Sequence, residues 1–129
     1  LYEFGVSLGI AFQIQDDILD LYGDPESFGK RVGGDILANK QTLLFIHARN
    51  TSDPTHQKDF KTLLEMEADS AKIDFAKRLF LENGTWAHAK EKMSEYYQLA
   101  MENLNKLEND SFPIGDLHIL AKNLMVRIN

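Results

Sequence analysis

Three carboxylates interrupt an otherwise apolar, helix-patterned stretch at Phe12-Gln13-Ile14-Gln15-Asp16-Asp17-Ile18-Leu19-Asp20. A carboxylate is among the costliest groups to enclose in apolar surroundings, so several set close together there normally hold a cation. With 100° of turn per residue, Asp20 falls about 40°, Gln13 about 60° and Asp17 about 100° from Asp16, which gathers the polar groups on one side of a helix. Gly9 and Gly5 lie earlier on the same stripe. Their missing side chains leave a groove beside the helix that suits something long. Carboxylate oxygens suit Mg2+, a hard cation that keeps several waters and prefers a few carboxylates plus substrate phosphate oxygens. Metal-assisted phosphate chemistry is therefore the expectation.

Other cations fit less well. An EF-hand fails on spacing, because no aspartate in Asp16, Asp17, Asp20 and Asp24 begins a loop with alternating ligands, a glycine at the sixth position and a glutamate at the twelfth. The chain has no cysteine, and His47, His56, His88 and His118 are scattered without ligand spacing, which argues against zinc and gives the histidines structural or surface roles. Solvated surface aspartates are the plain alternative, and the apolar neighbours disfavour it.

A second polar segment follows at Gly29-Lys30-Arg31-Val32-Gly33-Gly34-Asp35-Ile36-Leu37-Ala38-Asn39-Lys40. Alone it lacks Walker A spacing and reads as a solvated turn. Beside three carboxylates it reads differently. Lysines neutralise the oxygens of a departing diphosphate that metal ions leave uncovered, and glycine lets the backbone approach. Asp35 serves either as a further metal ligand or as an N-cap for the next helix, and the two roles are compatible. Arg31 and Arg49 read as surface charges.

The elements that must position these groups are all helical. Apolar residues recur three and four apart and no alternating strand pattern is present. A first helix is expected over residues 2–22, ending at Gly23-Asp24-Pro25. It is apolar nearly all round, with Phe4, Leu8, Ile10, Ala11, Ile14, Ile18, Leu19, Leu21 and Tyr22. Such a helix belongs in the middle of a bundle, with its carboxylates lining an internal cavity. Further helices are expected from about Ala38 to Arg49, from Pro54 (capped by Asp53) to near Met66, and from Asp69 or Ser70 to Asn83-Gly84. That fourth helix turns Ile73, Ala76, Leu79 and Phe80 inward. A fifth, capped by Thr85, runs from Trp86 to about Leu107 with Met93, Tyr96, Tyr97, Ala100, Met101, Leu104 and Leu107 at core spacing. A sixth runs from Pro113 to Arg127 and buries Leu117, Leu120, Leu124 and Ile128, with Ile114 near its start.

Composition bounds the rest. A chain of 129 residues with 43% hydrophobic content supports one core, so residues 1–129 are expected to form a single helical unit. A net charge of -6 and a pI near 5.1 argue against a nucleic-acid partner or anionic lipid. The longest uncharged stretch, Phe4 to Gln15, is shorter than the roughly 20 residues of a membrane span. The absence of cysteine fits a reducing compartment, with the cytoplasm as default. Leu1 is not an initiator methionine, and a helical pattern is already under way at Tyr2, which suggests the later part of a longer protein.

Together these residues resemble the trans-isoprenyl diphosphate synthases, or polyprenyl synthetases. Phe12-Gln13-x-x-Asp16-Asp17-x-x-Asp20 is similar to the family's second aspartate-rich motif, and Gly23-Asp24-Pro25, Gly29-Lys30, Gly33, Asp35 and Asn39-Lys40 continue it in order. Strong similarity covers residues 9 to 43, while the remainder agrees only in helical character. The resemblance implies an all-α fold, the C-terminal helices of the isoprenoid synthase bundle, about six in number. It implies that Asp16 and Asp20 bind Mg2+ bridging an allylic diphosphate, that Asp17 helps nearby, and that Asp35 is reached through water. Gln13, Lys30 and Lys40 would contact the diphosphate, and Gly5, Gly9 and Phe12 would line the prenyl side.

The implied reaction is ionisation of the allylic diphosphate, attack by the double bond of isopentenyl diphosphate, and proton loss, in a protein expected to be a homodimer. One departure from the family's pattern matters. The family carries two facing aspartate-rich motifs, and this chain has no second DDxxD. By itself the chain is thus expected to be inactive, and to self-associate or rearrange its packing to cover apolar surface. Three rivals remain: a non-catalytic subunit of a heteromeric prenyl synthase, which the intact aspartates and lysines disfavour; a terpene cyclase, whose second metal motif normally mixes Asn, Ser or Thr with acidic residues; and a generic helical scaffold with an acidic helix, which predicts no Mg2+-dependent diphosphate binding.

Overall fold

The computed structural model describes residues 1–23, 33–51, 53–107 and 114–125. Seven helices and no strand occur among them: α1 (Tyr2–Tyr22), α2 (Gly34–Leu37), α3 (Leu43–Arg49), α4 (Pro54–Glu65), α5 (Ser70–Glu82), α6 (Thr85–Asn105) and α7 (Ile114–Leu124). The all-α expectation holds, and α1 has the predicted bounds. It contains no proline and closes at Gly23, whose N–H donates to the Leu19 carbonyl at 2.8 Å.

The helix expected from Ala38 to Arg49 is instead two helices with a turn between them. Asn39 adopts a left-handed conformation, φ 51°, which asparagine tolerates better than most residues. This turn closes α2 in a Schellman arrangement, with the Lys40 N–H donating to the Asp35 carbonyl at 2.9 Å and the Asn39 N–H to the Ile36 carbonyl at 3.1 Å. Thr42 is then extended, and its Oγ1 accepts from the Phe45 N–H at 3.2 Å to start α3. A run without glycine or proline hid this break, because the stop comes from a left-handed asparagine.

Other termini follow local chemistry. Asp53 Oδ1 accepts from the Thr55 and His56 N–H groups at 2.8 and 3.4 Å, with Pro54 in the first turn. Asp69 Oδ1 accepts from the Ala71 and Lys72 N–H groups at 3.0 and 3.4 Å. Gly84, φ 83°, separates α5 from α6. Thr85 does not cap α6 as expected. It is the first helical residue, its N–H donates to Asn83 Oδ1 at 2.9 Å, and its hydroxyl is committed to His47.

The chain packs as two compact units. One comprises residues 1–15 and 90–129, where Phe4 and Leu8 of α1, Ala100 and Leu104 of α6 and Ala121 of α7 form the core, bordered by Tyr97, Met101, Leu107, Leu117 and Met125. The sixth expected helix is thus turned about its axis. Leu117 and Ala121 face the core, whereas Leu120 (51% exposed) and Leu124 (37%) face out. Small Ala121 joins Ala100 in this core, where larger leucines were expected. Ile128 and the side chain of Ile114 lie outside the described residues.

The other unit, Asp16–Ala89, packs α3 on α4, α4 on α5 and α2 on α5. Ile18, Leu21, Ile36, Leu44, Phe45, Phe60, Leu63, Leu79 and Phe80 are buried in it. The Phe45 and Phe60 rings meet edge to face with centroids 5.0 Å apart, a favourable aromatic geometry. Tyr22 packs its ring on Trp86 at 4.1 Å and donates its hydroxyl to the Lys77 carbonyl at 3.3 Å. Burial pushes the Tyr22 phenol up to about 12, so it remains a neutral donor.

Candidate active site

The last turn of α1 and the segment Gly33–Lys40 come together. The Gly33 N–H donates to the Asp20 carbonyl, and the Asp35 N–H donates to the Asp20 carboxylate, Oδ2, at 2.9 Å. Asp20 therefore anchors the start of α2. Its carboxylate satisfies an orphan helix donor while remaining only half-buried. Lys40 is held near Asp35 twice, through the backbone bond already described and through an ion pair with Nζ 3.6 Å from Asp35 Oδ1. The Lys40 side chain is 59% exposed, so the pair is weak and the ammonium can serve another anion.

Gly33 is the tight point of this arrangement. It sits at φ 85°, and a Cβ there would come within 2.6 Å of Ile73 Cδ1. Ile73 of α5, expected in the core, is instead half-buried against this glycine.

The other expected site residues are placed as follows. Asp16 and Gln13 are exposed, and Asp17 is buried. Asp16, expected to line an internal cavity, is exposed among the described residues. Helix α1 buries Phe4, Leu8, Ala11, Ile14, Ile18 and Leu21 but leaves a continuous outward stripe of Gly5, Gly9, Phe12 (43% exposed), Gln13 and Asp16. Apolar residues nearly all round therefore do not mean a helix covered all round here, since Tyr2, Val6 and Phe12 are exposed. A Cβ at Gly5 or Gly9 would meet no atom within 4 Å, so both glycines face open space. Lys30, with Asp24, Pro25, Gly29 and Arg31, lies outside the described residues.

Among the described residues, no three acidic, histidine or cysteine side chains converge as a ready metal cage. Asp16 and Asp20, four residues apart on α1, are a donor set that fits Mg2+, which takes one or two carboxylates and completes its shell with water and phosphate oxygens. The arrangement is suited to a ligand that brings its own oxygens.

Several contributors were not singled out in the sequence. Gln15, inside the aspartate motif, is buried and donates Nε2 to the Leu124 carbonyl at 3.0 Å, tying α1 to the end of α7. Lys72 is buried, and its Nζ donates to Asn39 Oδ1 at 2.7 Å. A signal for Lys72 was present, since it stands one turn before Ala76 on the stripe that α5 buries. His47 and His88 stack with centroids 4.1 Å apart, and His47 Nδ1 lies 2.7 Å from Thr85 Oγ1.

Comparison with known proteins bears on the same segment. The profile of the polyprenyl synthetase family matches residues 1–80. A short chain isoprenyl diphosphate synthase of Methanothermobacter thermautotrophicus is 34% identical over 110 residues, which span 84% of this chain and 33% of the relative. A geranylgeranyl pyrophosphate synthase of Geoglobus acetivorans is 36% identical over 110 residues, 84% of this chain and 32% of that protein. A geranylfarnesyl diphosphate synthase of Natronomonas pharaonis is 34% identical over 90 residues, 64% of this chain and 26% of that one. The crystal structure of a geranylgeranyl pyrophosphate synthase superimposes with a TM-score of 0.81 at 31% identity, covering 99% of this chain and 41% of that chain. The chain thus spans about a quarter to a third of the length of these curated relatives.

Proposed function

The chain belongs to the polyprenyl synthetase family, and from that premise we propose that it is part of a Mg2+-dependent trans-prenyltransferase that condenses an allylic diphosphate with isopentenyl diphosphate and releases pyrophosphate. The observation that carries this reading is the joining of Asp20, Asp35 and Lys40 in one site, through the Asp35 N–H on the Asp20 carboxylate and the Lys40 ion pair with Asp35. Acidic groups for a cation and an ammonium for an anion then stand side by side, as a metal-bound diphosphate requires.

In this reading Asp16 and Asp20 hold Mg2+, with Asp17 and Asp35 as supporting acidic groups, and the cation supplies Lewis-acid stabilisation of the departing pyrophosphate. Lys40, Lys30 and Gln13 contact the diphosphate and offset the charge that develops as the allylic carbon–oxygen bond breaks. The double bond of isopentenyl diphosphate attacks the resulting carbocation, and loss of a proton restores an alkene. Gly5, Gly9 and Phe12 line the side on which the prenyl chain lies, where an apolar surface keeps water from the cation.

A facing wall with the first aspartate-rich motif comes, in this reading, from the portion of the longer relatives that this chain does not span. It covers the outward stripe of α1 and closes the cavity. The longer protein is a homodimer acting in the cytoplasm. The chain alone self-associates through exposed Tyr2, Val6, Phe12, Leu99 and Ile119. No helix among the described residues is long and apolar enough to cross a membrane.

The test is titration of the chain with inorganic pyrophosphate, with and without Mg2+, followed by calorimetry and amide NMR shifts. Saturable binding that requires Mg2+ and perturbs Asp20, Asp35 and Lys40 is expected; binding indifferent to Mg2+ or to Asp16→Asn refutes the assignment. With allylic and isopentenyl diphosphates the chain alone should give no turnover, because each lost 1.36 kcal/mol of transition-state stabilisation is a factor of about ten. A clear rate from purified chain would overturn the need for a second wall.

A further inference from the structure

Lys72 sits where a lysine is hard to account for by packing alone. It is 2% exposed, one turn before Ala76 on the inward side of α5. A buried ammonium is costly unless it is hydrogen-bonded, and an apolar side chain of similar length would fill the same space without that cost. Burial holds the Lys72 amine below the usual lysine range. Its Nζ donates to Asn39 Oδ1 at 2.7 Å. Asn39 is the one non-glycine residue with positive φ among those described, at 51°, and it is the residue on which the Schellman turn closing α2 depends. That turn sends the Lys40 N–H back to the Asp35 carbonyl at 2.9 Å. The neighbouring Ile73 presses on Gly33 at the other end of the same segment, so the first turn of α5 grips Gly33–Lys40 at both ends.

We infer that Lys72 is a positioning residue for diphosphate binding: its hydrogen bond to the Asn39 side chain holds the left-handed turn that keeps Lys40 beside Asp35 and Asp20. This rests on the reading of Lys40 as a diphosphate contact. Lys72 itself touches no substrate; it acts through Asn39. An asparagine in the left-handed region is tolerated but not preferred over other conformations. A side-chain partner from a second helix removes the alternatives.

The experiment compares Lys72→Met, Asn39→Gly and the double variant with the unaltered chain. It reads global unfolding in urea, amide hydrogen exchange at Lys40, and Mg2+-dependent binding of inorganic pyrophosphate. Methionine fills the space of the lysine stem without the buried charge, so Lys72→Met is expected to unfold at the same or a higher urea concentration. At the same time its Lys40 amide should exchange about tenfold faster and its pyrophosphate affinity should fall several-fold. Glycine reaches positive φ unaided, so in the Asn39→Gly background the Lys72→Met change should add less than about twofold to either measurement. Faster exchange spread evenly over residues 16–89, or an effect of Lys72→Met that is equal with and without the Asn39→Gly change, assigns Lys72 to packing and overturns the inference. If the unaltered chain binds no pyrophosphate, the functional reading of the site falls, and exchange at Lys40 still decides whether Lys72 holds the turn.

Discussion

The carboxylate of Asp20, in the last turn of α1, accepts the backbone N–H of Asp35 at 2.9 Å. One side chain therefore joins the aspartate motif to the glycine and lysine segment fifteen residues later. With the proposed metal ligation, Asp20 then has two duties that substitutions can separate. Asparagine keeps an oxygen acceptor but removes the charge, whereas alanine removes both. Asp20→Asn should leave stability within about 0.5 kcal/mol and abolish Mg2+-dependent pyrophosphate binding, while Asp20→Ala should in addition lose about 1 kcal/mol, the usual cost of a lost cap or hydrogen bond. Asp16→Asn should show the same binding loss. Urea unfolding and calorimetry on the three variants check this.

Gly33→Ala should be among the more damaging single changes in the chain. Its φ of 85° is strained for any residue with a Cβ, and that Cβ would press on Ile73. The expected loss is about 2 kcal/mol or more. Part of it should be relieved by Ile73→Ala, so a double-mutant cycle measured by urea denaturation should give a coupling above about 0.5 kcal/mol. Independent, additive losses would show that Ile73 does not confine Gly33.

Stability should fall on the acid side through His47. Burial first, and the neighbouring charge of His88 second, lower the His47 imidazole below its usual value of 6.5. The unfolded chain then binds its proton more readily than the folded one. The contribution is complete above pH 6.5, and is lost as pH falls below 6.5 toward the lower folded value. His88→Gln removes the second cause and should flatten this slope between about pH 7 and 5, measured as the midpoint of urea unfolding. A slope that steepens in His88→Gln would contradict the stacked pair.

Thr42 is buried, and its hydroxyl caps α3 by accepting from the Phe45 N–H at 3.2 Å. Thr42→Ala should cost about 1 kcal/mol, and Thr42→Ser should recover most of it. Equal losses in both variants would assign the effect to the methyl group and its packing.

Much of this molecule was legible in the chain. Local chemistry marks α1, α4 and α5: three-and-four spacing, Asp53 before Pro54, Asp69 before α5, and Gly84 after it. The family resemblance was equally visible, because FQxxDDxxD is a short pattern of rare and expensive residue types. Less local features were misjudged. The break at Asn39 depends on a left-handed conformation that asparagine tolerates, stabilised here from α5. The inward face of α7 depends on which small residue lets the helix into the core.

The sequence by itself determined the all-α character, the bounds of α1, α4 and α5 and the acidic pattern, since backbone propensity and capping are properties of residues and their near neighbours. Tertiary structure alone decided that Asp20 reaches Asp35, that Asp16 looks outward while Asp17 is buried, and that a lysine thirty-three residues away holds Asn39. Those relations pair groups far apart in the chain. Only the packing of α2 against α5 and against the end of α1 brings them within hydrogen-bonding distance.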